Sequence, residues 1–83
     1  MSPIYPNPFN PVCQFSICNP KLSHVNISII NIQGKLVSVI YSGNLSPGYH
    51  NFIWNAQNFQ SGLYFIKVNY DNRVEVMSVS LIK

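Results

Sequence analysis

His24-Val25-Asn26-Ile27-Ser28-Ile29-Ile30-Asn31-Ile32-Gln33-Gly34 is the stretch on which the fold turns. Val25, Ile27 and Ile29 alternate with Asn26 and Ser28, a period of two that puts the apolar set on one face of a β-strand. The run stops at Asn31-Ile32-Gln33-Gly34, where Asn can cap a turn with its side chain and Gly can take a positive φ. Strands over 24–31 and 35–41 are therefore predicted to be antiparallel neighbours.

The same alternation recurs on both sides of that hairpin. Cys13, Phe15 and Ile17 are in phase, as are Phe52 with Trp54, then Tyr64, Ile66 and Val68, and finally Val79 with Leu81. These residues are the predicted core. Val37 and Ile40 also read as inward-facing, and their spacing of three breaks the alternation and predicts a bulge. Turn signals fall at Asn19-Pro20, Gln33-Gly34, Ser42-Gly43, Ser46-Pro47-Gly48, Gln60-Ser61-Gly62 and Asp71-Asn72. Asp71 and Asn72 tolerate the positive φ values of a two-residue turn, so 62–70 and 73–82 are read as a second hairpin. No segment offers an amphipathic helix. The fold class is all-β, an immunoglobulin-like antiparallel β-sandwich of about seven strands around Trp54. Tyr64, just inside its strand, is placed to be a corner tyrosine whose hydroxyl bonds back to the preceding loop.

The two ends differ from the middle. Tyr5-Pro6-Asn7-Pro8-Phe9-Asn10-Pro11 carries three prolines, which fix φ and remove donors, so this segment is expected to be extended and to pair only along an edge. Residues 1–11 are read as a Pro-rich lead-in and residues 12–83 as the sandwich. The last strand runs to Ser80-Leu81-Ile82-Lys83 with no polar tail, and an ordered end of that kind is expected to be read by a partner.

Composition narrows the function classes. Eighty-three residues make one domain with one core and no cleft between domains. Only 8% of residues are charged, about a third of the usual ~25%. The net charge is +3, but Lys21, Lys35, Lys67, Arg73 and Lys83 are spread along the chain, which argues against a phosphate-tracking stripe and so against nucleic-acid binding. The longest apolar runs are broken by Asn, Ser or Gly, so no membrane span is read. Met1-Ser2-Pro3-Ile4 has neither a basic n-region nor an apolar h-region, and an export signal is expected in an upstream part.

The materials for chemistry are sparse. Cys13 and Cys18 are five residues apart; on one extended strand that is roughly 16 Å, too far for a bridge, so two free thiols are expected. A zinc site needs more ligands than these and His24 and His50 supply at suitable spacing. Asp71 and Glu75, the only acids, lie about 13 Å apart along a strand, too far for paired acid–base work. Asp71 reads as a turn former, Glu75 as a solvated strand residue and His50 as a half-exposed packing residue. No catalytic residue, metal or cofactor is expected. Tyr5, Tyr41, Tyr49, Tyr70, Phe59 and Phe65 fall outside the predicted core and are read as packing on loops, with sugar stacking or a protein-contact patch as the alternatives.

An ordered set of motifs carries a resemblance. Tyr5-Pro6-Asn7-Pro8-Phe9-Asn10-Pro11, Phe15-Ser16-Ile17, His24-Val25, Asn31 to Gly34, Leu45-Ser46-Pro47-Gly48-Tyr49-His50 with Trp54, Ser61 to Phe65, and Leu81-Ile82-Lys83 occur in that order. Over nearly its whole length the chain resembles the type A C-terminal sorting domain of cargo proteins secreted by the bacterial type IX system. Met77-Ser78 stands where that family often has a basic pair.

The resemblance implies a non-catalytic sorting domain at the end of a larger exported cargo protein. It implies recognition by the outer-membrane type IX translocon and removal by a sortase-like peptidase, leaving the cargo secreted or at the cell surface after passage through the periplasm. Carried over by position, the recognition residues are Val79, Leu81, Ile82 and Lys83, and the domain is expected to be monomeric. Two other readings stay open: a structural spacer or assembly module, since the Ig-like domain of the flagellar hook-capping scaffold looks similar in its central and Trp-bearing strands, and a carbohydrate-binding module using Tyr41, Tyr49 or Phe65.

Overall fold

Among the described residues, six antiparallel strands pack as a four-stranded sheet on a two-stranded one. The computed structural model describes residues 3–82. The strands are β1 (Val12–Asn19), β2 (Ser23–Asn31), β3 (Leu36–Leu45), β4 (Gly48–Asn55), β5 (Gly62–Asn69) and β6 (Val74–Leu81). The larger sheet has the order β3-β2-β5-β6, and β1 pairs with β4 in the smaller. Strand content and the face-to-face arrangement agree with the predicted Ig-like sandwich; the count is six rather than seven.

The Tyr5–Pro11 segment, read as a lead-in outside the sandwich, pairs along edges only through isolated bridges, Tyr5 with Gln14 and Phe9 with Leu81. Ser42-Gly43, read as a turn, lies inside β3, where Gly43 pairs with Val25. Tyr41 is the physical reason: a Cβ at position 43 would lie 3.6 Å from its hydroxyl, so the ring covers the glycine, and that hydroxyl donates to the Asn44 carbonyl. The gap a glycine leaves on a pleated surface is filled by the neighbouring ring.

The hairpin that opened the sequence reading forms as expected. Asn31 Oδ1 accepts the backbone N–H groups of Gln33 and Lys35, and Gly34 takes φ +82°. Bulges also fall where the spacing of Val37 and Ile40 placed them. Ile27 pairs with Tyr41 and Ser28 with Val39, which skips Ile40; Ile29 pairs with Ser38 and Ile30 with Leu36, which skips Val37. Both skipped residues pack against the core. The 70–73 connection differs from expectation: no non-glycine residue described has a positive φ, and the turn is closed instead by the Tyr70 N–H donating to the Arg73 carbonyl.

The core holds every residue predicted for it, with Phe52 only half-buried at its margin. Ile4 and Phe9 from the proline-rich segment, together with Leu45 and Ala56, are buried as well and were not predicted. Trp54 is the centre. Its ring lies 5.3 Å from Phe9, 5.3 Å from Tyr64 and 5.8 Å from Phe59, so it joins the lead-in, β4, β5 and the β4–β5 loop. The Tyr64 hydroxyl donates to the Gln60 carbonyl at 2.7 Å, the predicted tyrosine corner.

Two polar side chains fix the crossing between the sheets. Asn19 is fully buried at the end of β1 and donates from Nδ2 to the Leu45 carbonyl at 2.8 Å. His50 Nε2 lies 2.8 Å from the Ser46 carbonyl. Buried amide groups persist only where such partners exist, and here they anchor Leu45-Ser46-Pro47-Gly48, the segment that carries the chain from one sheet to the other.

Candidate functional site

The last strand divides into a covered end and an open start. In β6, odd-numbered residues bond to β5 and even-numbered residues turn their backbone groups outward, the alternation of an antiparallel edge strand. The proline-rich segment closes the end of that edge. Phe9 N–H donates to the Ser80 carbonyl at 2.9 Å, Ile82 N–H donates to the Phe9 carbonyl at 2.9 Å, and Ser80 N–H donates to Asn7 Oδ1 at 3.1 Å. Phe9 itself is 1% exposed. A segment read as a lead-in is thus a strap that joins the two ends of the domain.

The structure places three of the four predicted recognition residues, and in different environments. Val79 and Leu81 are 1% and 2% exposed, facing the core. Ile82 is 53% exposed just beyond β6. Lys83 lies outside the described residues. Among the described residues, side-chain access at this end belongs to Ile82, while Val79 and Leu81 anchor the strand from which it projects. Asn7 and Phe9, which hold that end in place, were missed by sequence reasoning. The one signal for them was an aromatic residue set between prolines in an otherwise polar segment.

At the other end of β6 a small polar cluster stiffens the hairpin. The Tyr70 hydroxyl donates to Glu75 Oε1 at 2.7 Å, and the Arg73 guanidinium sits 4.2 Å from the centre of the Tyr70 ring. Burial, followed by the bond to the Glu75 carboxylate, pushes the Tyr70 hydroxyl up to about 12. The same bond holds the Glu75 carboxyl below its ordinary range. Glu75 is thus a partner of Tyr70 rather than the solvated strand residue that the sequence suggested.

The other chemical candidates are engaged or far apart. Cys13 is buried, and desolvation pushes its thiol up to about 11, which disfavours the thiolate needed of a nucleophile. Cys18 is an exposed free thiol. Among the described residues, no group of three or more His, Cys, Asp or Glu side chains is placed to hold a metal ion. Of the aromatic residues outside the predicted core, Tyr41 packs on Phe52 at 5.7 Å and Phe59 on Trp54, while Tyr49 and Tyr5 are exposed. Tyr5 borders a shallow groove over β1 and β4 with Gln14, Asn51 and Ile53.

Comparisons with known proteins agree with this architecture. A family model described as the secretion system C-terminal sorting domain matches residues 3–83. Among solved structures, the chain is similar to part of PorZ, an essential bacterial surface component of the type-IX secretion system of Porphyromonas gingivalis, with a TM-score of 0.61 and 19% identity. The similarity covers 96% of this chain and 11% of that one, and at this identity it speaks to the fold alone. No curated protein matches the sequence. The family match takes in the strap, the tyrosine corner and the last strand together, and the chain belongs to the family of type IX secretion system C-terminal sorting domains.

Proposed function

We propose that this domain rides at the end of a larger cargo protein and is recognised by the outer-membrane type IX translocon through β6 and the residues after it. The observation that carries the reading is the family match over residues 3–83. Val79 and Leu81 act as buried anchors, Ile82 is presented for contact, and Lys83 follows it in the sequence. An extended end held at a defined place on a rigid sandwich loses little entropy on binding, which favours its capture by a partner. The cargo passes the periplasm and outer membrane to the surface or the medium, and a sortase-like peptidase removes the domain there. The domain acts as the substrate of this machinery, without catalysis or cofactor, and as a monomer.

Burial of Leu81 decides how the proposal is tested. Deleting Leu81 together with Ile82 and Lys83 opens the core, so the informative truncation removes Ile82 and Lys83 alone. With the domain fused behind a reporter bearing an export signal, in a host with the type IX machinery, that deletion is expected to leave the reporter in the periplasm while Trp54 fluorescence reports a folded sandwich. Export at the level of the intact domain would show that the end of β6 is not read.

A further inference from the structure

The covered end of β6 draws attention to the part that is not covered. Val74, Val76 and Ser78 share the outward phase of Ser80 and Ile82, yet no strand or side chain among the described residues pairs with their outward N–H and carbonyl groups. This open edge is five residues long, about 17 Å at ~3.4 Å per residue. Apart from the inward-facing Glu75, it also lacks the devices that blunt an exposed edge. Residues 74–81 contain no Lys, Pro or Gly, and their pairing with β5 has no register shift. Val74 and Val76 are each 54% exposed. By contrast β3, the opposite edge of the same sheet, is interrupted by two bulges.

We infer that Val74–Ser78 is a docking edge to which an extended segment of a protein of the export machinery adds as a fifth strand, with an acidic residue facing Lys67. Unpaired backbone groups in a row select a strand as occupant, because only another backbone satisfies them at each step. Charge then selects its side chains. Lys67 pairs with Val76 on the outward face, and no outward-facing position of β2, β5 or β6 carries a carboxylate. The nearest acid on β6, Glu75, is bonded to Tyr70. A residue added beside Val76 stands roughly 10 Å from the Lys67 backbone, two strand spacings, which a Glu and a Lys side chain bridge across the small valine. The strap limits the contact at Ser80, so the new strand abuts Phe9 and its register is set. The inference rests on the sorting role proposed above and adds a second contact surface to it.

Val76→Pro and Ser78→Pro are the tests. Both residues direct their N–H away from β5, so proline removes an outward donor without breaking a bond inside the sheet, as tolerated on edge strands. Each variant is placed in the full domain behind the exported reporter in the type IX host, with near-ultraviolet circular dichroism as the check on folding. In each single variant the extracellular reporter is expected to fall by roughly two- to tenfold, the loss that follows when one edge bond is removed. Lys67→Glu, a change on the sheet surface that leaves the backbone intact, is expected to reduce export similarly, and it decides the matter if both proline variants fail to fold. Folded variants that export at the intact level overturn the docking edge while leaving the sorting role standing. An intact domain that fails to export overturns the sorting role itself.

Discussion

Trp54→Ala removes about 3–5 kcal/mol of stability, the range seen when a fully buried tryptophan is truncated. The ring is 2% exposed and touches Phe9, Phe59 and Tyr64, so its loss leaves a cavity bordered by three further rings that cannot all close on it. Packing supplies the whole effect, because the indole Nε1 has no hydrogen-bond partner among the described residues. A domain of this size holds roughly 4–12 kcal/mol in total. The variant is therefore marginal, and its melting temperature is expected to fall by more than about 12 °C. Urea titration followed by circular dichroism measures the change; a loss under about 1 kcal/mol contradicts the central position of the ring.

Phe9→Ala is expected to cost about 3–5 kcal/mol as well, although the residue lies in a segment whose sequence resembles a linker. Its ring is 1% exposed against Trp54, and its backbone bonds to Ser80 and Ile82 on both sides. Two effects separate it from a purely local core defect. Loss of the ring loosens the strap, so the amides of Ser80 and Ile82 should lose protection from hydrogen exchange more than those of Ile27 or Ile29 in the sheet centre. A stability change under about 1 kcal/mol with unaltered protection at Ser80 and Ile82 would return residues 5–11 to the role of a simple lead-in.

The strand faces were legible in the sequence because a period of two is a local property. Val25, Ile27 and Ile29, or Tyr64, Ile66 and Val68, announce their common face without reference to the rest of the chain. Asn31 and Gly34 were legible for the same reason, since an Asn side chain bonding two and four residues ahead is short-range chemistry. Even the bulges at Val37 and Ile40 were visible, as a defect in the alternation.

What escaped depends on distant partners. Asn19 looks like a polar strand end, and its burial makes sense only through the Leu45 carbonyl, 26 residues away. Ser42-Gly43 looks like a turn until Tyr41 is seen over the glycine. Phe9 shows no periodicity because prolines break the segment, so its place in the core is set by Trp54 and Leu81 rather than by its neighbours. The site was legible to the same degree. The phase of Val79 and Leu81 could be read, whereas the division of β6 into a strapped end and an open start comes from contacts such as Asn7 with Ser80, 73 residues apart.

The central claim is that this folded sandwich is the handle by which the type IX machinery moves a protein to the cell exterior. Its most direct test is the extracellular fraction of a reporter carrying an export signal and residues 3–83 at its end, measured in a host with the translocon and in the same host lacking it. The account predicts reporter outside the cell in the first host and periplasmic reporter in the second. Periplasmic reporter in both hosts, with the domain folded, would contradict it.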